Sequence, residues 1–302
     1  MATHVDPVAW AKKVRIRRII LIILAAVLLA GGVTLYLLRD RILPAIRYAR
    51  AEVALNNGNT AEAIELFQKD WTYRDANDRA AELAFAEQTD ETLKDVLKSA
   101  KPGDVVAFGS YEQDNDARNG TEPIEWFVMA EKDDRLLLWS LYALDAAPYN
   151  NIANEEVTWG TCSLRTWLND TFLQTAFTEK ERLLIPKMTY TNLGNDASLT
   201  KGGDDTEDRI VIMSFAELLE YGLRNPHLEW IGTYPTAYAA AQGVESHDEY
   251  GTCKWWIRTP GLDQTQAVYC DMVGQPLYTA PATRKGIGVR PMIWVVVGDR
   301  GE

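Results

Sequence analysis

From Ile19 to Leu38 the chain runs twenty residues without a charge, IILIILAAVLLAGGVTLYLL. At 1.5 Å per residue a helix of that length spans the roughly 30 Å of a bilayer's hydrocarbon core. The pattern predicts one transmembrane helix over 19–38 behind a basic tail at 1–18. The run is too long for the apolar core of a signal peptide, and no A-x-A cleavage pattern follows it. Residues 39–100 change period. Apolar positions recur at steps of three and four among Ala, Leu, Glu and Lys, which predicts helix from Ile42 to about Ala100. Within it, Ala51, Gly58, Ala63 and Phe67 fall where a tetratricopeptide unit places small residues, a turn and a packing aromatic, and Asn59 or Thr60 is the expected cap of the second helix. One or two such units cannot close a solenoid core, so the segment reads as a helical stem.

At Lys101-Pro102-Gly103 the period shifts again. Strand patterns appear at Val105–Tyr111, Glu125–Ala130 and Arg135–Leu144, the last two joined as a hairpin across Glu131–Asp134. Leu164, Trp167, Leu168, Phe172 and Phe177 make an apolar stripe that predicts a helix over Cys162–Phe177. Ser214 with Glu217 three residues on forms a capping box opening a helix to Tyr221. Between these helices, LGNDASLTKGGDDTEDR is polar, acidic and glycine-rich, and reads as a mobile surface loop. Strands return at Lys254–Thr259, Gln266–Met272 and Gly288–Val297. Residues 101–302 are therefore an α+β domain whose mixed sheet draws on both ends of the segment.

Charge bears on partners. Beyond residue 38 the chain carries 26 basic and 42 acidic residues, a formal charge of −16, which disfavours nucleic acid and anionic membrane surfaces. Five basic residues precede the apolar run, from Lys12 to Arg18, and place the N-terminus in the cytoplasm. Arg39, Arg41, Arg47 and Arg50 follow the run, so the asymmetry is small. Three cysteines exclude a disulfide scaffold, and none stands in a C-x-x-C pair.

Catalytic chemistry finds little purchase. His227 and His247 sit in no recognisable triad setting, and His247-Asp248-Glu249 reads as a solvated loop rather than a metal site. Asp114, Asp116 and Asn119 ahead of Gly120 miss the calcium-loop spacing and read as a turn. Binding has more support. Folded as a symmetric hairpin about Pro260–Asp263, the segment Cys253–Asp271 splits into two faces. Cys253, Trp255, Ile257, Val268 and Cys270 form a core face. Lys254, Trp256, Arg258, Tyr269 and Asp271 form an aromatic and charged face, the candidate ligand-binding site, where Arg258–Asp271 could equally be a structural ion pair. The same register sets Cys253 opposite Cys270, a candidate disulfide in an oxidising compartment. Trp159, Arg165 and Trp167 read as structural, and Arg290 as a buried hydrogen-bonding anchor.

The phrases FGSYEQD, PIEWFVM, TWGTCSLRTWLNDTFLQTAF, WWIRTPG and GIGVRPMIWV together resemble a bacterial extracellular domain family of unknown function with W-L-N, R-S/T-P-G and G-V-R-P motifs, over residues 102–298. Its members resemble this chain throughout: a membrane helix, a tetratricopeptide-like stem, then the domain. The closing G-V-R-P strand also resembles the last strand of C-type-lectin-like folds, a superfamily that includes formylglycine-generating enzymes and surface binding proteins. The cysteine pair of those enzymes has no counterpart here. The resemblance implies a C-type-lectin-like α+β domain with two helices, displayed outside the cell; the family carries no activity to transfer, and it is the residues themselves that point to binding of a glycan or peptide without catalysis or cofactor. The competing expectations are an envelope-acting enzyme of that fold and an assembly protein whose stem holds a protein partner.

Overall fold

The computed structural model describes residues 42–298 except 71–72, 78, 81–82, 84–90 and 229. The transmembrane segment expected at 19–38 and the basic tail before it lie outside the described residues. Among the described residues, no helix is long and apolar enough to cross a membrane. The chain divides into two compact units, residues 1–76 and 77–302.

In the first unit a helix over 42–56 turns back through Gly58 (φ +77°) into a helix at Thr60–Lys69. Ala51, Ala63 and Phe67, from the repeat-like spacing, are buried, as is Ala54. The Tyr48 ring meets Phe67 edge-on at 5.1 Å, and the Arg47 guanidinium donates to both Asp70 carboxylate oxygens at 2.9 Å. Asn59 holds the N-cap position, yet its side chain makes no capping bond.

The second unit begins earlier than the texture change at Lys101. Asn77 exchanges two hydrogen bonds with the Lys187 backbone, at 3.0 and 3.1 Å. The helix Glu91–Ser99, expected in the stem, belongs to this unit and buries Leu97. The unit is mixed α/β, with curled sheets and several helices. Its strands are β1 (Val105–Tyr111), β2 (Glu122–Lys132), β3 (Arg135–Ser140), β4 (Asp145–Ala146), β5 (Met188–Tyr190), β6 (Thr206–Asp208), β7 (Ile210–Ile212), β8 (Trp255–Pro260), β9 (Gln266–Cys270), β10 (Pro276–Pro281), β11 (Gly288–Val289) and β12 (Pro291–Val296). Two five-stranded sheets form, in the orders β1-β2-β3-β12-β7 and β10-β9-β8-β11-β4, with β5-β6 as a separate ribbon. Pairing is antiparallel except between β11 and β8. The first sheet does bring the hairpin near the start of the unit beside the last strand of the chain.

A single residue separates β11 in one sheet from β12 in the other, and that residue is Arg290. Proline suits the first position of β12, because it has no N–H to lose from the ladder. Glycine at 288 is dictated by closeness: a Cβ there would lie 2.7 Å from the Ala143 methyl and 2.9 Å from the Lys254 carbonyl. The buried Arg290 donates from Nε to the Ser140 carbonyl (2.9 Å) and from Nη1 to the Ile231 carbonyl (2.8 Å). Its guanidinium carbon stands 3.3 Å from the centre of Trp139 and 5.5 Å from that of Trp255, one ring from each sheet, and the two rings meet edge-on at 5.3 Å. Burial pushes the Arg290 pKa down to about 9, still cationic at neutral pH.

The helices hold the sheets in place but are not regular. Ser163–Ala176 contains a π-helical turn at Leu168–Phe172, and the helix opened by the Ser214–Glu217 capping box continues as a π-helical turn at Leu218–Leu223. Such turns insert a residue and re-aim the side chains that follow.

The seam predicts that Arg290→Met lowers unfolding stability by about 3 kcal/mol, since two buried carbonyls lose their donor and the ring stack its cation. Arg290→Lys should restore little of this, because an ammonium cannot both stack and bridge the two carbonyls. Denaturant unfolding of the full chain would show it; wild-type stability in the Met variant would mean that apolar packing alone holds the seam.

Candidate functional site

The face expected to bind ligand is not a surface. The β8–β9 hairpin pairs Trp255 with Cys270 and Trp256 with Tyr269, a register two residues away from the symmetric fold. The pairing slips again between Trp256 and Pro260, and β8 lies inside its sheet with all six of its residues buried. Trp256 is fully buried, with Nε1 donating to the Ala147 carbonyl at 2.8 Å. Its four expected partners take up separate tasks. Lys254 pairs with Glu245. Asp271 caps a turn by accepting from the Val273 and Gln275 amides at 3.0 and 2.8 Å. Tyr269 is buried against Trp256. Arg258 pairs with Glu217 rather than Asp271. The signal lay in the run WWIRTP, whose lack of polar alternation marks a strand covered on both faces.

Cys253 and Cys270 are free thiols, as is Cys162. In this register Cys270 faces Trp255, so the two cysteines are not directly opposed. Burial pushes the Cys162 and Cys253 thiols up to about 12 and raises Cys270 too.

The segment at 193–209 is pinned instead of mobile. Asn195, Ser198 and Thr200 donate to the Pro260 and Gly261 carbonyls at 2.8–3.2 Å, and Thr206–Asp208 becomes β6 against β5. Its Asp208 carboxylate accepts from Trp159 Nε1 (2.9 Å) and Arg165 Nε (2.7 Å), which assigns that pair structural work. Trp167 packs on Phe172 at 5.3 Å. Asp114 and Asp116 accept from the Asp116 and Arg118 amides, as a turn requires. Glu112, Asp114 and Glu122 bring carboxylate oxygens within 4.8 Å of one another, but Glu112 and Glu122 accept from backbone amides of the same turn. His247 accepts from the Glu249 and Tyr250 amides through Nδ1 and stacks on Tyr250.

Arg258 leads to the site that the sequence did not disclose. Burial disfavours its cation, but the Glu217 carboxylate, helped by Tyr190 and Tyr149, outweighs that penalty and raises its pKa. Arg258 Nη2 donates to Glu217 Oε1 at 2.8 Å and Nη1 to Glu217 Oε2. Nη1 also reaches the Ile212 carbonyl (3.0 Å) and Nε the Asn192 amide oxygen (3.3 Å). Glu217 closes the capping box as well, accepting from the Ser214 amide at 2.7 Å. It opens onto a cleft of about 630 Å³. Leu137 and Trp294, opposed across the β3–β12 ladder, line it beside Met292. The β2–β3 turn (Lys132–Arg135), strand β5 and the π-helical turn carrying Glu220 and Tyr221 complete it. Tyr190 lines the cleft with a buried hydroxyl that has no hydrogen-bond partner among the described residues. Burial, then the Glu217 charge, pushes its pKa upward. Chemically the cleft offers aromatic surface, carboxylates and one unsatisfied hydroxyl. Both Glu217 oxygens are taken up by the Arg258 guanidinium, which leaves neither free for proton transfer.

A two-sheet α/β domain with a cleft lined in part by strands of one sheet is the class that fold and site define. Residues 133–297 match the model of a family described as a domain of unknown function, DUF6273. That match takes in more than half of the chain, and the chain belongs to this family. No curated protein and no solved structure matches it.

Removing the carboxylate in Glu217→Gln should cost about 3 kcal/mol, because Arg258 is left as a buried cation without its counter-charge; a change under about 1 kcal/mol in denaturant unfolding would disprove the pairing. Iodoacetamide at pH 8 should leave all three thiols of the native chain unmodified. It should add three adducts after denaturation without reductant, whereas a single adduct by mass would reveal a Cys253–Cys270 bridge.

Proposed function

We propose that this chain is a single-pass membrane protein whose C-terminal domain, C-type-lectin-like and on the extracellular side, binds a glycan or peptide without catalysis. The anchor rests on the uncharged run Ile19–Leu38 and the basic residues before it. The lectin-like reading rests on the resemblance of the closing G-V-R-P strand, and the extracellular placement on the family resemblance over 102–298.

The binding reading is carried by one observation: Tyr190, whose buried hydroxyl has no partner among the described residues, lines a cleft that also holds aromatic rings and carboxylates. A buried polar group without a partner costs on the order of 1–3 kcal/mol, a penalty that a bound polar group would relieve. Aromatic planes with a few convergent polar groups are the usual make-up of a ligand pocket. Binding is favoured over acid–base catalysis because Glu217 is occupied by Arg258 and Asp134 stands 3.5 Å from Arg135.

Glycan and peptide arrays probed with the full-length chain in lipid nanodiscs test this. One ligand class should be retained intact, and Tyr221→Ala, a half-buried position, should weaken retention at least ten-fold with Tm unchanged. Undiminished retention by that variant would exclude the cleft as the site, and a cleaved ligand would exclude a non-catalytic role.

A further inference from the structure

We propose that the cleft takes the cationic side chain of a lysine or arginine in a basic peptide segment, an inference that rests on reading this cleft as the ligand site. Four carboxylates line it, from Asp133, Asp134, Glu217 and Glu220, against two cations, Lys132 and Arg135. Arg135 stands against Asp134, and Arg258 behind the wall neutralises Glu217. What remains is Asp133 and Glu220 against Lys132, a net negative mouth. Inside it stand three aromatic rings, Tyr190, Tyr221 and Trp294. Ring faces beside a carboxylate stabilise a cation that has shed part of its water.

The Tyr190 hydroxyl adds the specific element. It is buried, and no group among the described residues bonds to it. A phenol oxygen accepts hydrogen bonds, and ammonium and guanidinium groups only donate them. A cation held in the cleft would bring a donor to the wall whose Tyr190 hydroxyl lacks a partner among the described residues. The formal charge of −16 beyond residue 38 draws basic segments over longer range and repels acidic ones. Neutral sugars gain nothing from that field, so a basic peptide is favoured over a neutral glycan.

The chain supplies its own reporters. Met188 and Met292 line the cleft, whereas Met129, Met213 and Met272 do not. The full-length chain, labelled with [methyl-13C]methionine in nanodiscs, would be titrated with N-acetyl-Gly-Lys-Gly-amide. The same titration would use its Nε-acetyl-lysine counterpart and chitobiose. The lysine peptide should shift the Met188 and Met292 methyl signals saturably, with the acetylated peptide at least ten-fold weaker and chitobiose without effect. Glu220→Gln and Tyr190→Phe should each weaken lysine-peptide binding at least three-fold while the Met213 signal keeps its native position. Raising salt from 50 to 500 mM should weaken it further. Equal binding by the acetylated peptide or by chitobiose would overturn the charge preference and leave the cleft a binding site. Silence of Met188 and Met292 toward all three probes would overturn the proposed function together with this inference.

Discussion

A guanidinium removed from water must find acceptors and polarisable surface inside the protein, and Arg290 finds both only where the two sheets meet. Its planar group lies against Trp139 of one sheet and near Trp255 of the other, and its N–H groups satisfy the carbonyls of Ser140 and Ile231. The residues before and after it belong to different sheets. A single side chain therefore fixes the crossing point of the backbone. It also fixes the contact of two large rings and the ends of two segments distant in sequence. The remaining strand pairing follows once that crossing is set, since β12 then lies between β3 and β7, and β11 between β8 and β4.

The short strand β7 is the second point of convergence. Asn169 of the W-L-N segment donates to the Ile210 carbonyl at 2.8 Å and accepts from the Arg209 and Ile210 amides. Arg258 of the R-T-P-G segment donates to the Ile212 carbonyl, and Pro291 of the G-V-R-P segment lies opposite Ile212. Three segments spread over more than a hundred residues thus act on three residues of strand. The same strand brings Glu217 to the cleft, because the helix cap at Ser214 begins two residues after β7 ends. The architecture that stabilises the domain and the architecture that builds its candidate site share atoms, Arg258 and Glu217 above all.

Local chemistry was legible where it depends on neighbours in sequence. The Ser214–Glu217 capping box, the turn at Asp114–Gly120 and the β2–β3 hairpin all formed where residue types and spacing put them. Buried Arg290 was read correctly as an anchor. The hairpin at 253–271 was read with a register two residues off and with the wrong exposure. Alternation is a property of the strand itself, whereas exposure depends on what other strands and helices cover it. The loop at 193–209 misled for a related reason. Its glycines and acidic residues describe a chain that could be solvated, and nothing local reports that Gly261 offers carbonyl acceptors to it.

What the sequence determined by itself was therefore the order of textures: an apolar run long enough for a bilayer, a helical stretch with small-residue spacing, and a mixed α+β domain of acidic charge. These follow from period and composition, which are one-dimensional. The tertiary structure alone decided which polar groups are spent and which are left over. Glu217 looked like a helix cap and became the counter-ion of a buried arginine, while Tyr190, in a short unremarked strand, kept a hydroxyl without a partner. Hydrogen-bond satisfaction is a count over all neighbours in space, and no spacing along the chain contains that count.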